Sequence, residues 1–264
     1  MTPHESPPEQ RVSQPNPIVT LLQPLGEALR FMTIIPQPWL PPGDERTMLR
    51  ALPWFPLVGL LIGLLLLPIG WAALQIWGTL TAAALLVVIW AVISGGLHLD
   101  GLSDTFDAVM SWRPRARKLE IMKDSRIGAM GTLAIVAVLL LKVTMLAETG
   151  ALWWQGLLLA PLLGRWADLC AIAWFPAAAE GGFGHAFHDQ LRRSDVVVTT
   201  VLSLVASLLI AGMVGLVAML LVALTTLLLG RWWTQDLGGL TGDTYGALCE
   251  LAEVVVLVTL AAAL

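Results

Sequence analysis

Long apolar runs, separated by short polar stretches, dominate the pattern of this chain. A membrane-spanning helix needs about 20 apolar residues, and seven runs approach or exceed that length. The fifth and sixth form one continuous run, which we divide near Gly212 because an undivided span would overshoot the bilayer. Glu250 and Glu253 make the seventh the weakest of the set. The predicted spans are Pro53–Trp77, Thr79–Leu97, Met130–Leu146, Leu152–Ala178, Val196–Gly212, Val214–Gly230 and Tyr245–Leu264.

The segment before the first run has the pattern of an amphipathic helix rather than of a span. From Ile18 to Pro36, apolar residues recur on one face and charged residues interrupt another. We expect this helix to lie in the membrane interface. Residues 1–17 are rich in proline and polar side chains, so we expect a disordered tail there. The predicted fold class is all-α: residues 18–264 form one polytopic membrane helical bundle, with about seven spans plus the N-terminal interfacial helix.

Composition supports a membrane protein and excludes other classes. The chain is 57% hydrophobic and only 13% charged, with a mean hydropathy of +0.78, which is unlike a soluble domain. No basic tract indicates a nucleic-acid partner. Cys170 and Cys249 are far apart and lie in or beside apolar runs, so they predict neither a disulfide framework nor a metal motif.

The polar connections sort to one side of the predicted bundle. Connections after the second, fourth and sixth spans, at 98–129, 179–195 and 231–244, are long and polar, whereas the others are tight. Lysine and arginine concentrate in the polar set, and the positive-inside rule places that side in the cytoplasm. We therefore expect any chemistry to face the cytoplasm from the cytoplasmic membrane.

Three aspartates in the first polar connection are the strongest candidates for chemistry. Asp100, Asp104 and Asp107 fall at positions i, i+4 and i+7, so they share one face of a helix. Such a face attracts a hard divalent cation, Mg²⁺ or Mn²⁺. The alternative is a solvated helix start, where acidic side chains suit the helix dipole. Gly101 has no side chain, which allows backbone or ligand to approach closely.

Basic side chains after the aspartates suit phosphate oxygens. Arg113, Lys123 and Arg126 are the candidates, and Asp124 lies between the last two as a possible further metal ligand. The alternative is that these cations only obey the positive-inside rule. His98 precedes Asp100 by two residues, and it is a structural hydrogen-bond donor, a contact to substrate or phosphate, or a metal ligand.

Two further regions carry polar groups near the predicted site. Thr241 and Asp243 belong to a glycine-rich loop, GGLTGDT, which either cradles phosphate with backbone N–H groups or is an ordinary flexible loop. Arg165 lies three residues before Asp168 in the fourth span and either pairs with it or faces a polar cavity. Glu250 and Glu253 could pair with Arg165 or Arg231. His185 and Asp189 have metal-like spacing, but an exposed loop is the plainer interpretation.

The motifs resemble those of one enzyme family. GGLHLDGLSDTFDA, LEIMKDSRIGAMG and GGLTGDTYGALCE, together with the earlier FMTIIPQP and FPLVGLLIG, are similar to the pattern of cobalamin synthases, the adenosylcobinamide-GDP ribazoletransferases. The resemblance runs in order over roughly residues 25–260. Ala108 stands where that family usually has glycine, Asp168 matches no position that can be carried over, and the proline-rich extension is not a family feature.

This resemblance implies a Mg²⁺-dependent phosphotransferase of the cytoplasmic membrane. Adenosylcobinamide-GDP and α-ribazole, or α-ribazole 5′-phosphate, would give adenosylcobalamin, or its 5′-phosphate, and GMP. The partners would be these substrates, the lipid bilayer and, as further candidates, other enzymes of cobalamin assembly. For this reaction we assign metal binding to Asp100, Asp104, Asp107 and Asp124, catalysis to the first three and Asp243, and substrate binding to His98, Arg113, Lys123, Arg126, Arg165 and Thr241.

Two other functions fit parts of the pattern. A CDP-alcohol phosphotransferase also places spaced aspartates at a membrane metal site, but its Asp-Gly is followed by an alanine-arginine pair. In this chain Asp100-Gly101 is followed by LSDTFD. A divalent-cation transporter would need acids at mid-span and broken helices in paired halves of the chain. Most of the acids here lie at the edge of the predicted membrane.

Overall fold

The computed structural model describes residues 17–178 and 183–263, and within these ranges the chain is a bundle of α-helices. The predicted tail lies almost wholly outside the described residues. Two short 3₁₀ turns, Leu52–Trp54 and Gly150–Leu152, lead into longer helices. The helices are α1 Pro17–Met32, α2 Glu45–Leu49, α3 Phe55–Ile76, α4 Thr79–Ile93, α5 Leu97–Val109, α6 Arg115–Ile121, α7 Ala129–Glu148, α8 Trp153–Trp174, α9 Phe183–Gln190, α10 Arg193–Leu237 and α11 Gly242–Ala261.

Five of these helical stretches are long and apolar enough to cross a membrane, and α4 with α5 gives a sixth if the bent pair counts as one span. The predicted polytopic all-α fold is thereby confirmed. Helix α8 lies at the centre, between α3, α10 and α11. Gly59 and Gly63 of α3 allow this packing, because a Cβ atom at either would collide with the α8 backbone. Small residues at such crossings let membrane helices approach closely.

Helix α10 is a hairpin of two helices. Its 45 residues would be roughly twice the length that a bilayer accepts, and the helical geometry breaks at Ala211 and Gly212. Gly212 adopts a left-handed φ of 56°. Beyond the break, Gly215 packs directly on the backbone of Ser207, which is possible only if the chain turns back on itself. The predicted division near Gly212 is confirmed.

The second predicted span, Thr79–Leu97, is wrong at its end. Helix α4 stops at Ile93, and α5 begins at Leu97 in a direction turned by 90°. Gly95 and Gly96 form the corner with φ values of 62° and 69°, a left-handed conformation that ends helices and that glycine adopts without strain. Ser94, Gly95 and Gly96 are small and are followed directly by Leu97, so hydrophobicity alone did not reveal the corner. The aspartates therefore lie on a separate helix.

The predicted N-terminal helix is present as α1, which ends at Met32 instead of Pro36. Ala28 and Met32 are buried and join the core. Helix α8 also ends earlier than predicted, at Trp174, because Phe175 is extended.

The polar connections meet at one end of the bundle, as predicted. Both carboxylate oxygens of Asp236 accept hydrogen bonds from Lys118 Nζ at 2.6 Å. Arg115 donates to the carbonyl of Ala178 at 3.1 Å, and the Ala178 N–H donates to Leu240 O at 2.8 Å. These contacts tie the segments that follow α5, α8 and α10 into one polar end.

Candidate active site at the polar end of the bundle

Helices α5 and α11 cross closely enough to bring acids from both into one cluster. A Cβ atom on Gly101 would lie 2.7 Å from the carbonyl oxygen of Asp243, and one on Gly246 would lie 3.1 Å from Cα of His98. No side chain fits at Gly101 without a backbone shift, and a Cβ atom at Gly246 would require its neighbours to move by a few tenths of an ångström. The crossing sets Asp100 and Asp104 beside Asp243, which confirms the close approach expected at Gly101.

The resulting cluster is a concentration of negative charge with few counter-ions. Asp104 is repelled by Asp100, Asp243, Asp107 and Asp124, in descending order of effect. Within the described ranges, Asp100, Asp104 and Asp243 form no ion pair with lysine, arginine or histidine. Asp100 is exposed, and Asp104 and Asp243 are half-buried. Carboxylates without a cationic partner are donors that a divalent cation prefers, so the chemistry of this set suits Mg²⁺. Among the described residues, however, no three of these carboxylates place their ligand atoms within 4.8 Å of one another, and metal binding here stays a prediction.

Asp107 differs from the other two aspartates of α5. Its Oδ2 accepts a hydrogen bond from Gly128 N at 2.7 Å, and its Oδ1 accepts one from Gly131 N at 2.9 Å. These N–H groups belong to the first turn of α7, whose cap residue, Gly128, has no side chain to satisfy them. Asp107 therefore fastens α5 to the start of α7. Its role as a metal ligand stays a prediction, and each oxygen keeps one lone pair for it.

Asp124 and Arg126 form an exposed pair beside the cluster. Arg126 Nη2 donates to Asp124 Oδ2 at 2.6 Å, and its Nε and backbone N–H donate to the same carboxylate. These hydrogen bonds lower the pKa of Asp124 to about 2. Arg113 and Lys123 are also exposed on this end. All three cations are accessible to a phosphate, and their substrate-binding role stays a prediction.

Thr241 caps α11. Its Oγ1 accepts from Thr244 N at 3.3 Å, and the hydroxyl of Thr244 accepts from Thr241 N at 2.8 Å, which is a complete capping box. The preceding loop is ordered: Gly239 packs on the Ala177 backbone. Thr241 thus positions Asp243 two residues later, and any substrate contact by Thr241 stays a prediction.

His98 is buried behind the acid cluster and has a defined tautomer. Its Nδ1 lies 3.3 Å from Arg165 Nη2, and its Nε2 lies 3.7 Å from Asp168 Oδ2. A guanidinium can only donate, so Nδ1 must accept and the proton must sit on Nε2, facing Asp168. His98 is a neutral link between the buried side chains of Arg165 and Asp168, and a direct contact to substrate stays a prediction.

Arg165 pairs with Glu253 and not with Asp168, so the predicted intrahelical ion pair is wrong. Arg165 Nη1 contacts Glu253 Oε1, and Lys142 Nζ contacts both Glu253 and Glu250, the latter at 2.5 Å. The i, i+3 spacing did not determine which carboxylate pairs with Arg165. Glu253, which is fully buried like Arg165, is brought into contact with it by the packing of the helices. The expected pairing of the glutamates with Arg165 is confirmed for Glu253.

The sequence interpretation missed Lys142. It is a single lysine inside an apolar run, and two glutamates occur inside another apolar run at helical spacing. Charges of opposite sign at membrane depth are expected to pair, so this combination was the available signal. Lys142 also lies 4.6 Å from the centre of the Trp90 ring, which adds a cation–π contact.

Two cavities flank Asp100. The larger, about 520 Å³, lies between the end of α1, the α4–α5 corner and α7, and includes Ser103, Ile127 and Ile135. The smaller, about 190 Å³, lies between α1, α3, α5, α8, α9 and α11, and includes His98, Asp168, Asp243 and Tyr245. Asp100 borders both, so molecules in the two cavities would meet at the acid cluster.

Comparison with known proteins assigns the family. The cobalamin-5-phosphate synthase family profile matches residues 24–261. The chain belongs to this family. A Roseiflexus sp. (strain RS-1) protein is 56% identical over 237 residues, covering 90% of this chain and 88% of its own length. A Herpetosiphon aurantiacus protein is 49% identical over 245 residues, covering 92% and 97%. Both relatives are named adenosylcobinamide-GDP ribazoletransferase. No solved structure matches the chain.

One buried group in this cobalamin-5-phosphate synthase family member has metal-like geometry. Ligand atoms of His98, Asp168 and Cys249 lie within 4.8 Å of one another. Arg165 touches His98 from the other side, so a cation there would face a fixed positive charge. His185 and Asp189 lie 3.6 Å apart on α9, where His185 is half-buried and Asp189 is exposed.

Proposed function

We propose that this chain transfers the adenosylcobinamide-phosphate group from adenosylcobinamide-GDP to α-ribazole, or to α-ribazole 5′-phosphate, and releases GMP. The observation that carries the proposal is the unpaired cluster of Asp100, Asp104 and Asp243 between two cavities. Phosphoryl transfer needs charge neutralisation and two substrates held in line, and this arrangement is suited to both. Family membership and the names of the two relatives support the choice of substrates.

In this reaction the 3′-hydroxyl oxygen of ribazole forms a bond to the phosphorus on the cobinamide arm. The bond between that phosphorus and the oxygen bridging to GMP breaks, and GMP leaves with that oxygen. The hydroxyl proton passes to a carboxylate of the cluster. Arg126 and Lys123 are exposed at the same end of the bundle, where they can neutralise the departing phosphate.

We infer that Mg²⁺ binds at the cluster. Asp100 and Asp104 would hold it, with Asp107 and Asp124 as further ligands, and Asp243 would be a ligand or the proton acceptor. A bound Mg²⁺ would neutralise charge on the diphosphate. The protein's own contribution is to fix these acids at a rigid helix crossing, where their mutual repulsion favours cation binding.

We also infer that the site faces the cytoplasm from the cytoplasmic membrane. The tight connections at the opposite end, 77–78, 149–152 and 211–212, contain no lysine or arginine. The polar end carries the cations of the segments around α2, α6 and α9. This asymmetry supports a cytoplasmic polar end by the positive-inside rule.

Purified protein in lipid nanodiscs tests the proposal. With adenosylcobinamide-GDP, α-ribazole and Mg²⁺, we expect equimolar GMP and adenosylcobalamin. Asp104→Asn should reduce turnover at least ~100-fold and weaken Mn²⁺ binding measured by electron paramagnetic resonance. Glu120→Gln, which removes an exposed acid on the same end, is the matched control and should retain activity. An Asp104→Asn variant with wild-type Mg²⁺-dependent turnover would overturn the metal assignment. Metal uptake into vesicles without GMP release would instead indicate a transporter.

A further inference from the structure

The 190 Å³ cavity beside Asp100 has an aromatic wall. Phe31 and Phe55 stack with ring centres 5.9 Å apart, and Phe187 meets both rings edge-on at 6.4 and 6.2 Å. The three rings come from α1, α3 and α9, and Ile172 of α8 extends the wall. Such a surface suits a flat aromatic ring, because rings pack well face to face with an offset or edge to face.

Two buried polar atoms on residues of this cavity have no hydrogen-bond partner within the described part of the chain. They are Oδ1 of Asp168 and the hydroxyl of Tyr245, the single tyrosine of the sequence. Both side chains are more than nine-tenths buried. Oδ2 of Asp168 lies 3.7 Å from Nε2 of His98, and the thiol of Cys249 lies within 4.8 Å of the same carboxylate. Buried polar groups are almost always paired in native proteins, and two exceptions on one cavity point to a ligand.

We propose that this cavity binds ribazole by its aromatic base, with the ribose directed toward Asp100. The bicyclic aromatic base packs against Phe31, Phe55 and Phe187, Tyr245 donates a hydrogen bond to the free ring nitrogen of the base, and Asp168 accepts one from a ribose hydroxyl. Asp168 and Tyr245 thus position the nucleophile toward Asp100 and the acid cluster. The inference rests on the proposed function, because it deepens the assignment of one of its two substrates.

Size and polarity select ribazole over the other substrate. A corrin ring is far larger than 190 Å³, so the cobinamide cannot enter. Guanine has hydrogen-bonding groups around its whole edge, and burying them against phenylalanine and isoleucine would leave most of them unpaired. A benzimidazole base has one free ring nitrogen and an otherwise apolar edge. The larger cavity on the other side of Asp100 remains for the diphosphate substrate.

The decisive variant is Tyr245→Phe, which removes one oxygen atom from the cavity. We expect the KM for α-ribazole to rise about tenfold and the KM for adenosylcobinamide-GDP to stay unchanged, as expected for one lost hydrogen bond to a bound ligand. Asp168→Asn should likewise raise the KM for α-ribazole. Phe55→Leu should also weaken the binding of α-ribazole. The matched control is Phe175→Leu, because Phe175 is a buried phenylalanine that lies outside the cavity and packs on Gly230.

Binding of α-ribazole alone, measured by calorimetry on the protein in nanodiscs, separates this inference from the proposed function. Wild-type binding that weakens about tenfold in Tyr245→Phe supports the inference even without turnover. If wild type releases GMP but Tyr245→Phe and Phe55→Leu bind α-ribazole as wild type does, the inference is overturned and the proposed function stands. A selective rise in the KM for adenosylcobinamide-GDP would also overturn it. Absence of GMP release by wild type would refute the proposed function.

Discussion

Gly101→Ala is the sharpest test of how this fold builds its site. The added methyl carbon would lie 2.7 Å from the carbonyl oxygen of Asp243, 3.0 Å from its Cα and 3.2 Å from its carbonyl carbon. All three are backbone atoms at the start of α11, so no side-chain rotation relieves the contact. Ordinary contact begins near 3.4 Å, so α5 and α11 must separate by roughly 0.7 Å.

Two consequences of that separation can be measured. Forcing extra volume into a packed crossing costs about 1–3 kcal/mol, so the thermal unfolding midpoint in nanodiscs should fall by several degrees. The separation also moves Asp243 away from Asp100 and Asp104. Because an error of about 1 Å in a reacting group can cost on the order of 100-fold in rate, we expect GMP release to fall by 10- to 100-fold while the protein stays folded.

Gly78→Ala is the matched control, since an added Cβ there meets nothing within 4 Å and the residue lies at the opposite end of the bundle. It should match wild type in rate and stability. The reasoning fails if Gly101→Ala retains full activity with an unchanged unfolding midpoint, because the crossing would then not be as tight as the distances indicate.

Two further changes test the bundle. Lys142→Met should destabilise the protein by about 3–5 kcal/mol, because Glu250 and Glu253 lose their shared cation. Adding Glu250→Gln to this variant should recover part of the loss in the thermal unfolding midpoint. A Lys142→Met variant with an unchanged unfolding midpoint would contradict the ion pairs. Gly212→Ala should lower the free energy of unfolding by about 1–3 kcal/mol, because it strains a residue with positive φ at the turn of α10, and should leave the KM for both substrates unchanged. A changed KM would show that the turn is coupled to the site.

The sequence predicted the features that depend on local periodicity. The helical spacing of Asp100, Asp104 and Asp107 holds in α5, and the length of the apolar run located the turn at Gly212. What it missed depends on tertiary contacts. The corner at Gly95 and Gly96 follows a long apolar segment, and the Ser94-Gly95-Gly96 sequence was its available signal.

The same limit applies to roles within the acid cluster. Asp107 has the spacing of a metal ligand, yet its hydrogen bonds go to the start of α7, which no pattern along α5 could indicate. Asp168 and Tyr245 are separated by most of the C-terminal half of the chain, and only folding brings them to one cavity. Periodicity identifies which residues share a face, and packing decides what that face meets.

The buried charges of α7, α8 and α11 also impose an order on assembly. A ribosome makes Lys142 and Arg165 before Glu250 and Glu253, so the two cations enter the membrane while their carboxylate partners are still unsynthesised. The last helix then arrives as the neutralising element. Because that helix also carries Asp243, the acid cluster is completed only when the ion pairs form, and a chain truncated before α11 would be both unstable and without its site.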